Sequence, residues 1–270
     1  MLPLLHKAND FELQNALHLA QISAWSYRID EHFLQADLQN AGYQYFAFLH
    51  EGKSKGYDTN VLMVANENCF IITFRGTEEG SLEDWLNNLD NRAYSYGLGN
   101  VRQGFWEAIQ VVWEKLMEQL RSHYEPTQTL WLTGHSQGGA LAQLTARRLF
   151  DEKFAIQGVY TFGQPKVGDL LFASSYDNVL RNQTFRIYNE EDSVVKNPPN
   201  LYHSGIGVKL KTEGLMEIEY FGNIFETAEN TLTTLMDMLW DYSTDSLQAH
   251  SIQTYLERLQ KQYNSPTKWQ

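Results

Sequence analysis

The sequence predicts an α/β fold with a mostly parallel central sheet flanked by helices. Three observations predict it. Apolar runs of strand length alternate with amphipathic stretches of helix length between residues 129 and 188. Alternation of that kind buries parallel strands under their crossover helices. The chain has 270 residues, of which 43% are hydrophobic and 20% charged, a balance that one large globular domain can absorb. A glycine-flanked serine also falls where a strand passes into a helix. The expectation is a single domain over residues 1–270, with 1–50 as N-terminal packing elements.

The elements follow in order. Leu13, Leu17, Ala20 and Ala24 recur at helical spacing, and an aromatic run, YQYFAF, follows at 43–48. Residues 61–65 (VLMVA) and 69–74 (CFIITF) read as paired strands across Asn66-Glu67-Asn68. Residues 103–123 carry Phe105, Ile109, Val112, Leu116 and Leu120 as one helical stripe. Strand 129–133, helix 138–150, strand 158–162, helix 168–180 and strand 184–188 make up the alternating part. A hairpin is expected from 208–210 and 216–220, around Thr212-Glu213-Gly214. A helix near 247–262 closes the chain.

Charge and composition exclude several roles. The net charge is −12, whereas a nucleic-acid binder needs basic groups to displace phosphate counterions. Attraction to an anionic membrane is disfavoured on the same ground, which leaves adsorption to a lipid interface through an apolar patch. Cys69 is the one cysteine, so no disulfide can form within the chain, and its apolar neighbours mark it as a core residue. No stretch of about 18 uncharged apolar residues occurs, so no transmembrane helix is expected. The N-terminal MLPLLHKANDFE reaches charge too early for a signal peptide, and the chain reads as cytoplasmic.

The chemistry centres on Gly134-His135-Ser136-Gln137-Gly138. A bare G-x-S-x-G arises by chance in about one chain in ten of this length. Here it follows the apolar strand Leu130-Trp131-Leu132-Thr133 and opens a run of helix formers, Ala140 to Leu144. Strand, sharp turn and helix are the context of a nucleophile elbow. The glycines let strand and helix approach around a strained serine, and the helix N-terminus adds partial positive charge.

A serine nucleophile needs a base, and the base needs an orienting acid. In α/β hydrolases the chain order is serine, acid, histidine. Of the eight histidines only His203 and His250 lie downstream of Ser136. His135, adjacent to the serine, suits a supporting hydrogen bond instead. The acid should follow a strand at the carboxyl edge of the sheet, where Glu190, Glu191 and Asp192 compete. Asp169 is a further candidate, although a helix N-cap accounts for it. The residues alone leave both choices open.

Several stretches together resemble the class 3 lipases, the fungal-lipase-like α/β hydrolases. They are ITFRGT at 72–77, Asp84-Trp85 with Leu89, QGF at 103–105, TGHSQGGALA at 133–142 and TFGQPKVG at 161–168. DSVV at 192–195 before Pro198-Pro199, YHSG at 202–205 and AHS at 249–251 complete the series, which covers about residues 60 to 256. The resemblance implies Ser136 as nucleophile, Asp192 as acid and His250 as base, with His203 non-catalytic. It implies Thr77 and the backbone N–H of Gln137 as the oxyanion hole. The residue after the serine is often leucine in the family and is glutamine here.

The implied activity is serine carboxylester hydrolysis of acyl lipids, as a triacylglycerol lipase or esterase. Neither metal nor cofactor is needed, and a small-molecule or lipid ester is the expected partner. The same triad also serves phospholipases and thioesterases, and an inactive lipid-binding module is the rival from another class. Two segments are lid candidates, 78–96 and 221–240. Leu82, Trp85, Leu86 and Leu89 would share a helix face in the first, and Phe221, Phe225, Ala228, Leu232, Leu235 and Leu239 in the second.

Overall fold

The structure, a computed structural model, describes residues 1–28, 31–52, 58–77, 92–212, 214–219 and 244–265. Its strands are β1 (Tyr45–Glu51), β2 (Thr59–Ala65), β3 (Cys69–Phe74), β4 (Ala93–Tyr96), β5 (Gly99–Arg102), β6 (Thr129–His135), β7 (Ile156–Phe162), β8 (Thr184–Asn189), β9 (Ile206–Leu210) and β10 (Met216–Glu219). Eight of them form one sheet in the order β1-β2-β3-β6-β7-β8-β9-β10. Strands β3, β6, β7, β8 and β9 run parallel, and antiparallel neighbours extend both edges. This is the α/β-hydrolase arrangement that the alternation predicts.

Period-two alternation along the strands divides the apolar residues between two cores. Met63, Phe70, Ile72, Phe74, Leu130 and Leu132 face one side. There they meet α3 (Gln103–Gln110), α4 (Trp113–His123), α5 (Gln137–Asp151) and α6 (Leu170–Leu180). Leu62, Val64, Ile71, Trp131, Phe162 and Ile187 face the other side. Helices α1 (Leu13–Trp25), α2 (Glu31–Asn40) and α8 (Ile252–Asn264) cover them. A sheet covered on both faces explains why its central strands are apolar almost throughout. Cys69 lies in the second core, where burial pushes its thiol up to about 12.

Two predicted helices are broken. The stripe over 103–123 is correct in its burial, since Phe105, Ile109, Val112, Leu116 and Leu120 all reach one core. The helix, however, interrupts at Val111-Val112, where the Val112 N–H turns back to the Ile109 carbonyl at 3.1 Å. Two adjacent β-branched residues lose side-chain freedom against the preceding turn and favour such a break. The closing helix divides at Ser251, whose backbone is extended at φ −59°, ψ 136° and whose hydroxyl accepts from the Gln253 N–H at 3.3 Å. An N-capping serine starts a new helix there. His250 thereby becomes the last residue of a short helix, α7 (Thr244–His250).

The hairpin forms with Met216 opposite Leu210, and Gly214 takes φ +81° in its turn. Asp169 caps α6, accepting from the Phe172 N–H at 2.8 Å and the Asn100 N–H at 3.0 Å, which disposes of it as a rival acid. The lid candidate 221–240, and 78–91 of the first candidate, lie outside the described residues. The end of the first, Ala93–Tyr96, is strand β4, with Tyr94 stacked on Trp106 at 4.5 Å. Among the described residues no helix is long and apolar enough to cross a membrane.

Candidate active site

Ser136 occupies the turn between β6 and α5 with φ +56° and ψ −129°, one of two non-glycine residues at positive φ among those described. A side chain in this region is strained, and the surroundings must hold it there. They do so by close backbone approach. A Cβ on Gly134 would lie 2.3 Å from the Gly138 carbonyl oxygen, and one on Gly138 would lie 2.1 Å from that of Phe74. The bend therefore tolerates no side chain at either flank. The Ser136 N–H donates to the Phe162 carbonyl at 2.8 Å, which ties the elbow to the neighbouring strand. Its hydroxyl is buried and has no hydrogen-bond partner among the described residues.

The acid loop follows β8. Of its three carboxylates, Glu190 is exposed and Glu191 pairs with Arg258 at 2.8 Å. Asp192 is fully buried. Its Oδ1 accepts from the Val194 N–H at 2.9 Å, and its Oδ2 accepts from His250 Nδ1 at 2.8 Å. A carboxylate can only accept, so in its neutral form His250 carries its proton on Nδ1 and its lone pair on Nε2. That Nε2 is buried and, like the serine hydroxyl, has no partner among the described residues. Gly163 at φ +57° directly follows Phe162, to which Ser136 is bonded. A Cβ there would stand 2.9 Å from His250 Nδ1 and 2.8 Å from Asp192 Oδ2. Elbow, acid and histidine thus converge around Gly163. Gly163→Ala should strain the backbone and displace the pair, lowering kcat by about 10²-fold, as a shift of about 1 Å in catalytic geometry does. Steady-state ester kinetics on the folded variant check this.

His203 does not join the group. Its Nε2–H donates to the Val195 carbonyl at 2.7 Å, and burial, then Arg186 and Lys166, hold its pKa well below the usual histidine value. His135 has the supporting role expected of it. A carbonyl accepts, so its Nε2–H donates to the His250 carbonyl at 2.5 Å, and Nδ1 takes the Tyr27 hydroxyl at 2.8 Å. Its ring lies 4.7 Å from that of His250.

Thr77 and Gln137 also come together. The Arg75-Gly76-Thr77 turn after β3 passes under the elbow, where a Cβ on Gly76 would be 3.1 Å from Ser136 Cβ. Thr77 Oγ1 donates to Gln137 Oε1 at 3.0 Å. Their backbone N–H groups stand at the end of β3 and in the first turn of α5, where the helix dipole favours negative charge.

Sequence reasoning gives no role to Tyr27, Gly163 or Tyr255. Tyr255 is fully buried, donates to Asp192 Oδ2 at 2.6 Å and accepts from the Asn189 N–H at 3.1 Å. Ser246 donates to Ser193 Oγ at 2.6 Å and so fastens the histidine-bearing helix to the acid loop. The one signal in the sequence is that Tyr255 lies one turn beyond His250, on a helix that otherwise reads as amphipathic. Among the described residues no cluster of side chains suited to a metal ion occurs.

Three buried histidines set a pH dependence of stability. Burial lowers His18 to about 4 and holds His135 and His203 well below the ordinary value. Unfolded, each takes a proton near pH 6.5. Their folded pKa values are depressed, so the unfolded chain binds more protons below about pH 6.5, and stability falls as pH drops through that value. The slope is about 1.4 kcal/mol per pH unit for each histidine while it stays neutral in the folded chain. Urea denaturation at stepped pH measures it, and equal stability at pH 7 and pH 5 would contradict the assignment.

Comparison with known proteins shows a likeness in sequence and in fold. The family model described as lipase (class 3) matches residues 71–202. A Caenorhabditis elegans lipase is 33% identical over 129 residues, covering 46% of this chain and 36% of that protein. The lipase of Rhizomucor miehei is 31% identical over 163 residues, covering 55% and 44% respectively. The chain thus spans less than half the length of these relatives. A crystal structure of a fungal lipase superposes with a TM-score of 0.74 at 19% identity, covering 92% of this chain and 97% of that one, which shows the shared fold. The residues matched by the class 3 lipase model include the Arg75-Gly76-Thr77 turn, the serine elbow and the acid loop, so over this stretch the chain is similar to that family.

Proposed function

We propose that this protein hydrolyses carboxylic esters of acyl lipids, as a triacylglycerol lipase or esterase, through Ser136, His250 and Asp192. One observation carries the reading. A buried serine on a strained strand-to-helix turn is tied through Phe162 to Gly163, which packs against a histidine whose Nδ1 is bonded to a buried carboxylate at 2.8 Å. That bond leaves Nε2 as the group able to take a proton.

In the first half-reaction Ser136 Oγ attacks the ester carbonyl while His250 Nε2 takes its proton. Asp192 holds the imidazole tautomer and stabilises the imidazolium. The backbone N–H groups of Thr77 and Gln137, with the Thr77 hydroxyl, meet the oxyanion. Collapse of the tetrahedral intermediate breaks the bond to the leaving alkoxide, which takes the proton from His250. Water then attacks the acyl-enzyme with His250 again as base, releasing the fatty acid and restoring Ser136.

The test is a chain-length panel of p-nitrophenyl esters beside emulsified triacylglycerol, a phospholipid and an acyl thioester. Turnover of the triacylglycerol or the longer esters is the expected result. Preference for the phospholipid or thioester would move the assignment to those substrates. Binding of acyl lipid with no turnover would make the protein a binding module.

A further inference from the structure

We infer that the Gln137 side chain, and not its backbone alone, serves the oxyanion hole by orienting the Thr77 hydroxyl. The inference rests on the proposed ester hydrolysis. In the resting arrangement the Thr77 hydroxyl gives its single proton to Gln137 Oε1 at 3.0 Å. A hydroxyl has one proton to donate and two lone pairs to accept with. While that proton is held by Gln137 it cannot reach the reaction centre.

A developing oxyanion is the stronger acceptor, because hydrogen bonds to charged groups are about twice as strong as neutral ones. When the hydroxyl turns to it, a lone pair of Oγ1 faces Gln137. An amide oxygen in that place would repel the lone pair. The two ends of a carboxamide have nearly the same shape, so the group can turn end for end about Cγ–Cδ and present Nε2. Nε2–H then donates to Oγ1, and Oγ1–H donates to the oxyanion. A chain of donors in a buried site polarises each member in the same direction. Leucine, the common residue at this place in the family, can neither hold the proton at rest nor support it in the transition state.

Gln137 is therefore a positioning residue for Thr77, beyond the role of its N–H. The experiment compares wild type, Gln137→Leu, Gln137→Glu, Thr77→Val and the Thr77→Val/Gln137→Leu double variant on p-nitrophenyl butyrate. Every variant keeps the Gln137-position N–H. Gln137→Leu should lower kcat by about 10-fold with KM little changed, the value of one hydrogen bond made in the transition state. The double variant should be no slower than Thr77→Val alone, because leucine removes only what the threonine hydroxyl transmits. Gln137→Glu has no donor when ionised and sets a negative charge beside the oxyanion. Its kcat should fall by about 10²-fold or more at pH 8, and the ratio to wild type should recover at acid pH as the carboxyl protonates.

A Gln137→Leu enzyme with wild-type kcat, or losses that multiply in the double variant, would overturn the inference. So would a Gln137→Glu loss that does not change with pH. Those outcomes, with wild type active and Ser136→Ala inactive, leave the ester-hydrolase reading intact. A wild type that turns over no ester sinks both.

Discussion

Ser136→Ala should abolish ester turnover, with a loss of about 10⁴–10⁶-fold in kcat, and should end covalent labelling by a fluorophosphonate probe. The effect is expected to be this large because in the proposed reaction Ser136 Oγ supplies the bond-forming atom, and water in its place would lack the alignment that the strained turn provides. Alanine removes only the oxygen. The hydroxyl makes no hydrogen bond among the described residues, so its loss leaves no buried partner unsatisfied. The variant should stay folded, with thermal unfolding at or slightly above the wild-type temperature. Probe labelling that survives in Ser136→Ala would assign the nucleophile elsewhere.

Asp192→Asn should lower kcat by about 10⁴-fold while leaving the fold in place. The reason is a tautomer. Asp192 Oδ2 accepts from His250 Nδ1 at 2.8 Å and from the Tyr255 hydroxyl at 2.6 Å. An asparagine can keep its oxygen toward the Val194 N–H, which needs an acceptor, and so places its amide nitrogen where Oδ2 faced His250 and the Tyr255 oxygen. The imidazole then holds a lone pair at Nδ1 and its proton at Nε2, where it cannot take the serine proton. Glu190→Gln and Glu191→Gln are the controls. Both side chains turn away from the histidine, one to solvent and one to Arg258, and turnover should stay near the wild-type value. A loss in either control comparable to that of Asp192→Asn would move the acid to that residue.

Tyr255 adds a finer point to the same site. Its hydroxyl joins the acid to the Asn189 N–H and shares Oδ2 with His250, while the Val194 N–H holds Oδ1, so both carboxylate oxygens are fixed. The Asn189 side-chain amide in turn donates to the Ala249 carbonyl at 2.6 Å, one residue before His250. Strand β8, the acid loop and the two last helices are therefore one hydrogen-bonded unit.

What the sequence by itself determines is local. The elbow is legible because its requirements fall within a few residues: an apolar strand, glycines at 134 and 138, and a slim helix start. The strands are legible because two-sided burial makes them apolar throughout, and the stripe of 103–123 is legible because burial repeats at helical spacing. Helix ends are less legible. The breaks at Val111-Val112 and Ser251 depend on small local preferences that a longer amphipathic pattern overrides on reading. Choosing among Glu190, Glu191 and Asp192, or between His203 and His250, lies beyond the residues alone, and the family resemblance had to point to one of each.

Only the tertiary structure shows which acid and which histidine meet. Asp192 and His250 meet because β8 delivers the acid loop to the break between α7 and α8. Glu191 is drawn off by Arg258, and His203 spends its one proton on the Val195 carbonyl. Tyr27, in a segment that reads as packing, reaches His135 behind the serine. Contacts between residues distant along the chain leave no periodicity and no composition signal. They exist only once burial has removed water and each polar group must find its partner within the protein.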